Sequence, residues 1–317
     1  MVCGRIKREE QMIYAITYSD EKFLKSGQLN VWTATHVGKA DRAHLFTPKD
    51  IDEEYYEKHK NVLSLPRGAG YWLWKPYIIL KALEQLEFDD YLMYADAGAF
   101  YVSSIHSLIR QMERDQQEIL FAASFWKNSY WAKRDTFVLL GCDTQEYYES
   151  RTVASGYFLL KKSKKTVEFI YQWLKYMEEP SLATDKPSIC GLAELPNFHE
   201  YRHDNSVLSV MAKKYGYRSY RGIDGKWEIK RYSHWFKEKD RTFLGIERGE
   251  IERLYKEYLQ TPEAQFPLKR VIVNSNVYNR YGMAFWARII RRLLQAWWWD
   301  HSPLPLAGGT VINGTLF

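Results

Sequence analysis

Short apolar runs alternate with segments of helical period along most of this chain. MIYAITYS (12–19) is a continuous β-branched and aromatic run closed by Ser19 and Asp20, the pattern of a buried strand entering a turn. IDEEYYEKHK (51–60), with Asp50 as its N-cap, and PYIILKALEQLEF (76–88), with Pro76 at the first helical position, repeat apolar residues every three or four positions and predict helices. YLMYAD (91–96) then reads as a strand, SIHSLIRQMERDQQ (104–117) as a helix and EILFAAS (118–124) as a strand. The order βαβαβ predicts an α/β fold with a mainly parallel sheet and helices on both faces.

The alternation continues with GYFLLKK (156–162) as a strand and KKTVEFIYQWLKYMEE (164–179) as a helix carrying Val167, Ile170, Tyr171 and Leu174 on one face. HDNSVLSVMAKKYGY (203–217) predicts a helix ended at Gly216, with a short strand after it. Between these two helices, residues 180–202 carry Pro180, Pro187, Gly191 and Pro196 without periodicity and predict a long loop of the kind that carries function. No internal repeat or low-complexity tract interrupts the pattern.

At 317 residues, 46% hydrophobic and 26% charged, the chain is long enough for a sizeable core. The odd set Cys3, Cys142 and Cys190 has no CxxC spacing and suggests neither a disulfide framework nor a structural zinc. A polar, charged start (MVCGRIKREEQ) and the lack of any 18-residue apolar run lead to the expectation of a cytoplasmic protein that does not span a membrane.

The net charge of +6 is concentrated: between 264 and 300, six cations (Lys269, Arg270, Arg280, Arg288, Arg291, Arg292) face one acid, Asp300. That location implies a local anionic partner for the C-terminal segment rather than a surface wrapping nucleic acid. Composition shifts near 262, giving an expected division into 12–262 and a basic, Trp-rich extension, 263–317. Within the extension, MAFWARIIRRLLQAWWW (283–299) on a helical wheel sets Arg288, Arg291, Arg292 and Gln295 on one face. Trp286, Ile289, Ile290, Leu293 and Trp297 fall on the opposite face, which is the pattern of a helix lying in a lipid interface. The same apolar face would also serve to dock on the rest of the chain or on another subunit.

The candidate chemistry centres on YLMYADAGAF (91–100), where one carboxylate, Asp96, follows an apolar strand and precedes Ala97 and Gly98. Ligands of open α/β sheets bind beyond the carboxyl ends of the strands, so Asp96 is placed to meet one. A turn anchor or a cap for the next helix is the plain alternative. RGAGYWLWKP (67–76) adds a Gly-rich turn with three aromatics and two cations, Arg67 and Lys75, able to meet phosphates. Packing of Trp72 or Trp74 under the sheet accounts for part of that cluster equally well.

RGAGYWLWKPYIILKALEQLEFDDYLMYADAG (67–98), together with ITYS (16–19), GKADRAH (38–44), SGYFLLKK (155–162) and HDNSVLSVMAKKYG (203–216), resembles bacterial glycosyltransferases of the GT-A fold that build surface polysaccharides. The resemblance spans residues 12–240, and GYWLWKPYIIL followed by YADAG is its most specific part. It implies a nucleoside-diphosphate sugar as donor, a saccharide or lipid-linked acceptor, and a divalent cation, Mn²⁺ or Mg²⁺. Asp96 matches the first acid of the Asp-x-Asp motif of that fold, whereas Gly98 stands in place of the second. A late histidine, matched by His234 in RYSHWF, would supplement the metal shell.

By the same resemblance Thr17 and Tyr18 would hold the nucleobase, unless Tyr18 is a plain core aromatic, Arg67, Lys75 and Gly98 the donor, and Ser155, Gly156 and Asp204 the acceptor. Asp204 would take the acceptor hydroxyl proton if the reaction inverts the anomeric centre, or be merely an acid in the first turn of a helix. The missing second acid keeps open a catalytically silent, carbohydrate-binding or scaffold protein at the membrane surface.

Overall fold

The computed structural model describes residues 11–221, 242–243, 246–265, 268 and 271–274. Six strands form the main sheet: β1 (Ile13–Tyr18), β2 (Arg42–Phe46), β3 (Tyr91–Ala95), β5 (Ile119–Lys127), β6 (Arg151–Lys161) and β7 (Ser219–Arg221). The short β4 (Ala99–Tyr101) lies outside it, and the sheet order is β2-β1-β3-β6-β5-β7. The expected mainly parallel sheet is present with one reversal: β6 runs antiparallel to both β3 and β5, while β1/β2, β1/β3 and β5/β7 pair in parallel. Strand direction leaves no trace in hydrophobic periodicity, so GYFLLKK gave the strand without its sense.

Side-chain alternation along the strands separates two apolar layers. Leu92 and Tyr94 of β3, with Tyr14, Ile16 and Tyr18 of β1, face the helices Trp74–Glu84, Lys164–Met177 and Asp204–Lys214. Tyr91, Met93 and Ala95, with Ile13 and Ala15, face the helices Leu24–His36 and His106–Arg114. A third cluster joins Phe125, Trp126, Tyr130 and Trp131 to the helix Arg248–Leu259. Beyond residue 262, Leu268, Val271 and Ile272 are buried, and the strand Ile272–Asn274 pairs antiparallel with β4.

Two local predictions shift and a third holds. Asp50 belongs to a 3₁₀ turn, Pro48–Asp50, and the helix after it starts at Glu53. Pro76 occupies the third position of its helix, which starts at Trp74. Helix Asp204–Lys214 ends just before Gly216, whose φ of +70° supplies the left-handed stop that its glycine predicted.

The Gly-rich stretch before Trp74 is a left-handed helical turn. Gly68, Ala69, Gly70, Tyr71 and Trp72 all have φ between +50° and +97°, and the Tyr71 and Trp72 amides donate to the Arg67 and Gly68 carbonyls. Each side-chain-bearing residue in this well costs about 1 to 2 kcal/mol. Gly70 admits no replacement, because a Cβ there would stand 2.7 Å from the Leu63 Cα. The turn is held by a hydrogen bond from the Trp74 indole to the Gly68 carbonyl (2.9 Å) and by the Tyr71 hydroxyl on Asp185 (2.8 Å).

Candidate functional site

Asp96 directly follows β3 and falls on the face of Leu92 and Tyr94, where two helices begin. Lys75 is the second residue of Trp74–Glu84 and Asp204 the first of Asp204–Lys214, so both helix N-termini converge on the carboxyl end of β3. The Lys75 ammonium, 2% exposed, lies 2.7 Å from Asp204 Oδ2 and 3.4 Å from Asp96 Oδ1. It also donates to the Ser155 carbonyl at 3.4 Å. Burial pulls its pKa down, but the two carboxylates outweigh that and hold it above the usual lysine range.

The turn after β3 does not use the Asp96 carboxylate. It is closed by the Ala99 amide on the Asp96 carbonyl (2.9 Å) and braced by the Asn30 side-chain amide, which donates to the carbonyls of Asp96 and Ala99. Asp96 Oδ1 instead accepts from the Tyr94 hydroxyl at 2.6 Å, and among the described residues no hydrogen bond reaches Oδ2. Oδ2 faces Gly156 of β6, whose backbone carbonyl accepts from the Asp96 amide; a Cβ at 156 would stand 2.9 Å from that oxygen. Asp96 lies low among protein atoms, and this burial raises its pKa against the pull of Lys75 and Tyr94. Its side chain is nonetheless 44% exposed, so part of it meets solvent.

Two acids and one ammonium leave this cluster with one excess negative charge. Such a site suits sugar hydroxyls or a cation better than bare phosphates. Lys75 is thus placed as a bridge between carboxylates and not as a free cation, because its partner Asp204 arrives from 129 residues away. Arg67, 45% exposed, is likewise engaged, with Asp185 at 2.8 Å and Glu200 at 3.6 Å. Ser155 is buried and Gly98 half-buried in the turn.

At the end of β1, Thr17 is fully buried with no hydrogen-bond partner for its hydroxyl among the described residues. Tyr18, 5% exposed, stacks on Trp74 with ring centroids 3.8 Å apart, so one ring face is closed to a nucleobase.

Among the described residues no group of three His, Cys, Asp or Glu side chains gathers to hold a metal. Asp96 offers an oxygen without a hydrogen bond from the described residues, and an ammonium stands beside its other one. Mg²⁺ needs near-octahedral oxygen coordination, which these residues do not provide by themselves. His234 lies outside the described residues, as does the segment 283–299 with Trp286, Arg288, Ile290, Arg291, Arg292, Leu293 and Trp297. Among the described residues no helix is long and apolar enough to cross a membrane.

Two residues that sequence reasoning passed over border the site. Tyr94 precedes Asp96 by two, so strand alternation alone puts its hydroxyl on the same face. His203, immediately before Asp204, is 2% exposed and adopts φ +48°, ψ −116°, with its Nε2 2.9 Å from Asp185 Oδ1. Nothing local in the sequence announces that contact.

Burial holds the His203 imidazole below the ordinary histidine range, against the upward pull of Asp185. The neutral ring therefore contributes stability that is present above about pH 6.5, where the unfolded chain is also neutral. That contribution is lost as pH falls through the lower folded value, because the unfolded chain takes up the proton first. Thermal melts from pH 7 to pH 5 are expected to show a falling midpoint, and His203→Gln to make the fall shallower. His59, also lowered chiefly by burial, accounts for part of the remaining slope.

No protein-family model matches the chain, and no curated protein matches it in sequence. Solved structures similar to it include glycosyltransferases. Galactosyltransferase LgtC, in complex with donor and acceptor sugar analogs, is 10% identical, with 92% of this chain and 98% of that one covered at a TM-score of 0.46. Apo GlyE of Streptococcus pneumoniae TIGR4 is 13% identical over 92% of this chain, which spans 64% of GlyE, at 0.40. Mouse xyloside xylosyltransferase 1 in its apo form is 11% identical over 72% of this chain and 92% of its own, at 0.37.

Proposed function

We propose that the protein is a GT-A-type glycosyltransferase moving a sugar from a nucleoside diphosphate to a saccharide or lipid-linked acceptor in surface polysaccharide synthesis. The observation that supports this reading best is Asp96 at the carboxyl end of β3, its side chain 44% exposed, its Oδ2 without a hydrogen bond from the described residues and opposite a glycine that leaves room beside it. In the reaction the bond from the anomeric carbon to the diphosphate oxygen breaks, and a bond to an acceptor hydroxyl oxygen forms. Asp96 accepts hydrogen bonds from the sugar hydroxyls, and Ser155 and Gly156 line the acceptor side. Asp204, paired with Lys75, takes the acceptor proton in an inverting course. Thr17, whose hydroxyl has no partner among the described residues, and the edge of Tyr18 would belong to the nucleobase side.

Asp96 and His234 would hold a divalent cation, Mn²⁺ or Mg²⁺, whose charge would offset that of the diphosphate. The C-terminal extension would attach the enzyme peripherally to an anionic, cytoplasmic membrane face through 283–299.

Incubation with a panel of nucleotide sugars, with Mn²⁺, Mg²⁺ or EDTA, is expected to release nucleoside diphosphate, slowly even without acceptor. Neither turnover nor nucleotide binding across the panel would turn the reading to a catalytically silent carbohydrate-binding or scaffold protein.

A further inference from the structure

The buried pair Lys75 and Asp204 is approached by two strained pieces of backbone. The left-handed turn Gly68–Trp72 ends three residues before Lys75, and His203, with φ +48°, immediately precedes Asp204. Both pieces are fastened to one side chain. Asp185 Oδ2 accepts from Arg67 Nη1 (2.8 Å) and the Tyr71 hydroxyl (2.8 Å), and Oδ1 contacts His203 Nε2 (2.9 Å).

Asp185 is itself fixed from behind. The Lys133 ammonium, on a residue 4% exposed, donates to the carbonyls of Thr184 (3.1 Å) and Lys186 (2.9 Å), the two residues flanking Asp185. It also lies over the Tyr201 ring, 4.6 Å from its centroid. A buried lysine devoted to backbone oxygens on either side of one aspartate fixes where that aspartate can reach.

We infer that Asp185 is a positioning residue: held by Lys133, it ties the turn before Lys75 to the residue before Asp204 and so sets the Lys75–Asp204 pair beneath Asp96. Without it, each strained segment relaxes toward a commoner backbone conformation and carries its neighbour out of register. The catalytic meaning of this device rests on the glycosyl-transfer reading, whereas its geometry can be read without turnover.

The test is amine labelling of the full chain, followed residue by residue by mass spectrometry. In Asp185→Asn, Lys75 is expected to label about 10-fold faster than in the parent, while Lys162 and Lys214, each bonded to a backbone carbonyl elsewhere, keep their rates. Should Asp185→Asn not fold, Tyr71→Phe removes one of the three bonds and is expected to raise Lys75 labelling about threefold. Unchanged Lys75 labelling in a folded variant would overturn the inference, as would a rise shared by Lys162 and Lys214, which marks general loosening.

Where the parent turns over a nucleotide sugar, Asp185→Asn is expected to lower kcat with little change in the donor KM. A parent without turnover whose Asp185→Asn variant still releases Lys75 loses the enzymatic reading and keeps this one.

Discussion

Replacing Lys75 by methionine is expected to destabilise the fold by about 3 to 5 kcal/mol, the cost of breaking a buried ion pair by removing one partner. The loss comes mainly from one side. The Asp96 side chain is 44% exposed and its charge can be hydrated once Lys75 is gone, whereas the Asp204 side chain is 6% exposed and is left as an uncompensated charge. Asp204→Asn in the same chain should therefore recover much of the loss, and Asp96→Asn should recover little. Urea unfolding of the parent, the single variant and both double variants separates these cases, with a shift in midpoint at constant slope reporting stability. A single variant as stable as the parent would mean that the pair contributes nothing to the fold.

Asp96→Asn is expected to do the reverse, sparing the fold and lowering the activity. The amide oxygen can still accept from Tyr94 and Lys75, and Lys75 keeps Asp204 as its charge partner at 2.7 Å. Its open position at Oδ2, however, changes from a charged acceptor into a neutral group. A hydrogen bond to a charged group contributes about 1.5 to 3 kcal/mol. Losing one such bond made to the transferred sugar predicts a fall of about 10- to 150-fold in kcat/KM. Initial-rate kinetics beside a thermal melt check both halves. A folded variant with parental kcat/KM would remove Asp96 from the donor site.

Those expectations were only partly legible in the sequence. The placement of Asp96 at a strand end followed from YLMYAD and the βαβαβ order, because hydrophobic period and turn residues are local signals. The hydroxyl of Tyr94 was equally legible through strand alternation. The occupations of Lys75 and Arg67 were not: their acidic partners come from 129 and 118 residues away, and only the folded topology brings the charges together. The left-handed turn shows the same limit. Gly68 and Gly70 announce a tight bend, but Ala69, Tyr71 and Trp72 have no local preference for positive φ and adopt it under tertiary constraint. The antiparallel sense of β6 was also silent, since its burial pattern would fit either direction.

The pairing of Ile272–Asn274 with Ala99–Tyr101 bears on how the last stretch of the chain is to be studied. Asn274 sits across from Ala99, one residue past the Gly98 bend, so the strand ends opposite a position three residues along the chain from Asp96. A clipped version used to ask whether the tail grips lipid should finish at Asn274. A cut at Leu268 would bare one side of that ribbon and disturb the neighbouring bend, mixing lost adhesion with a damaged fold around Asp96.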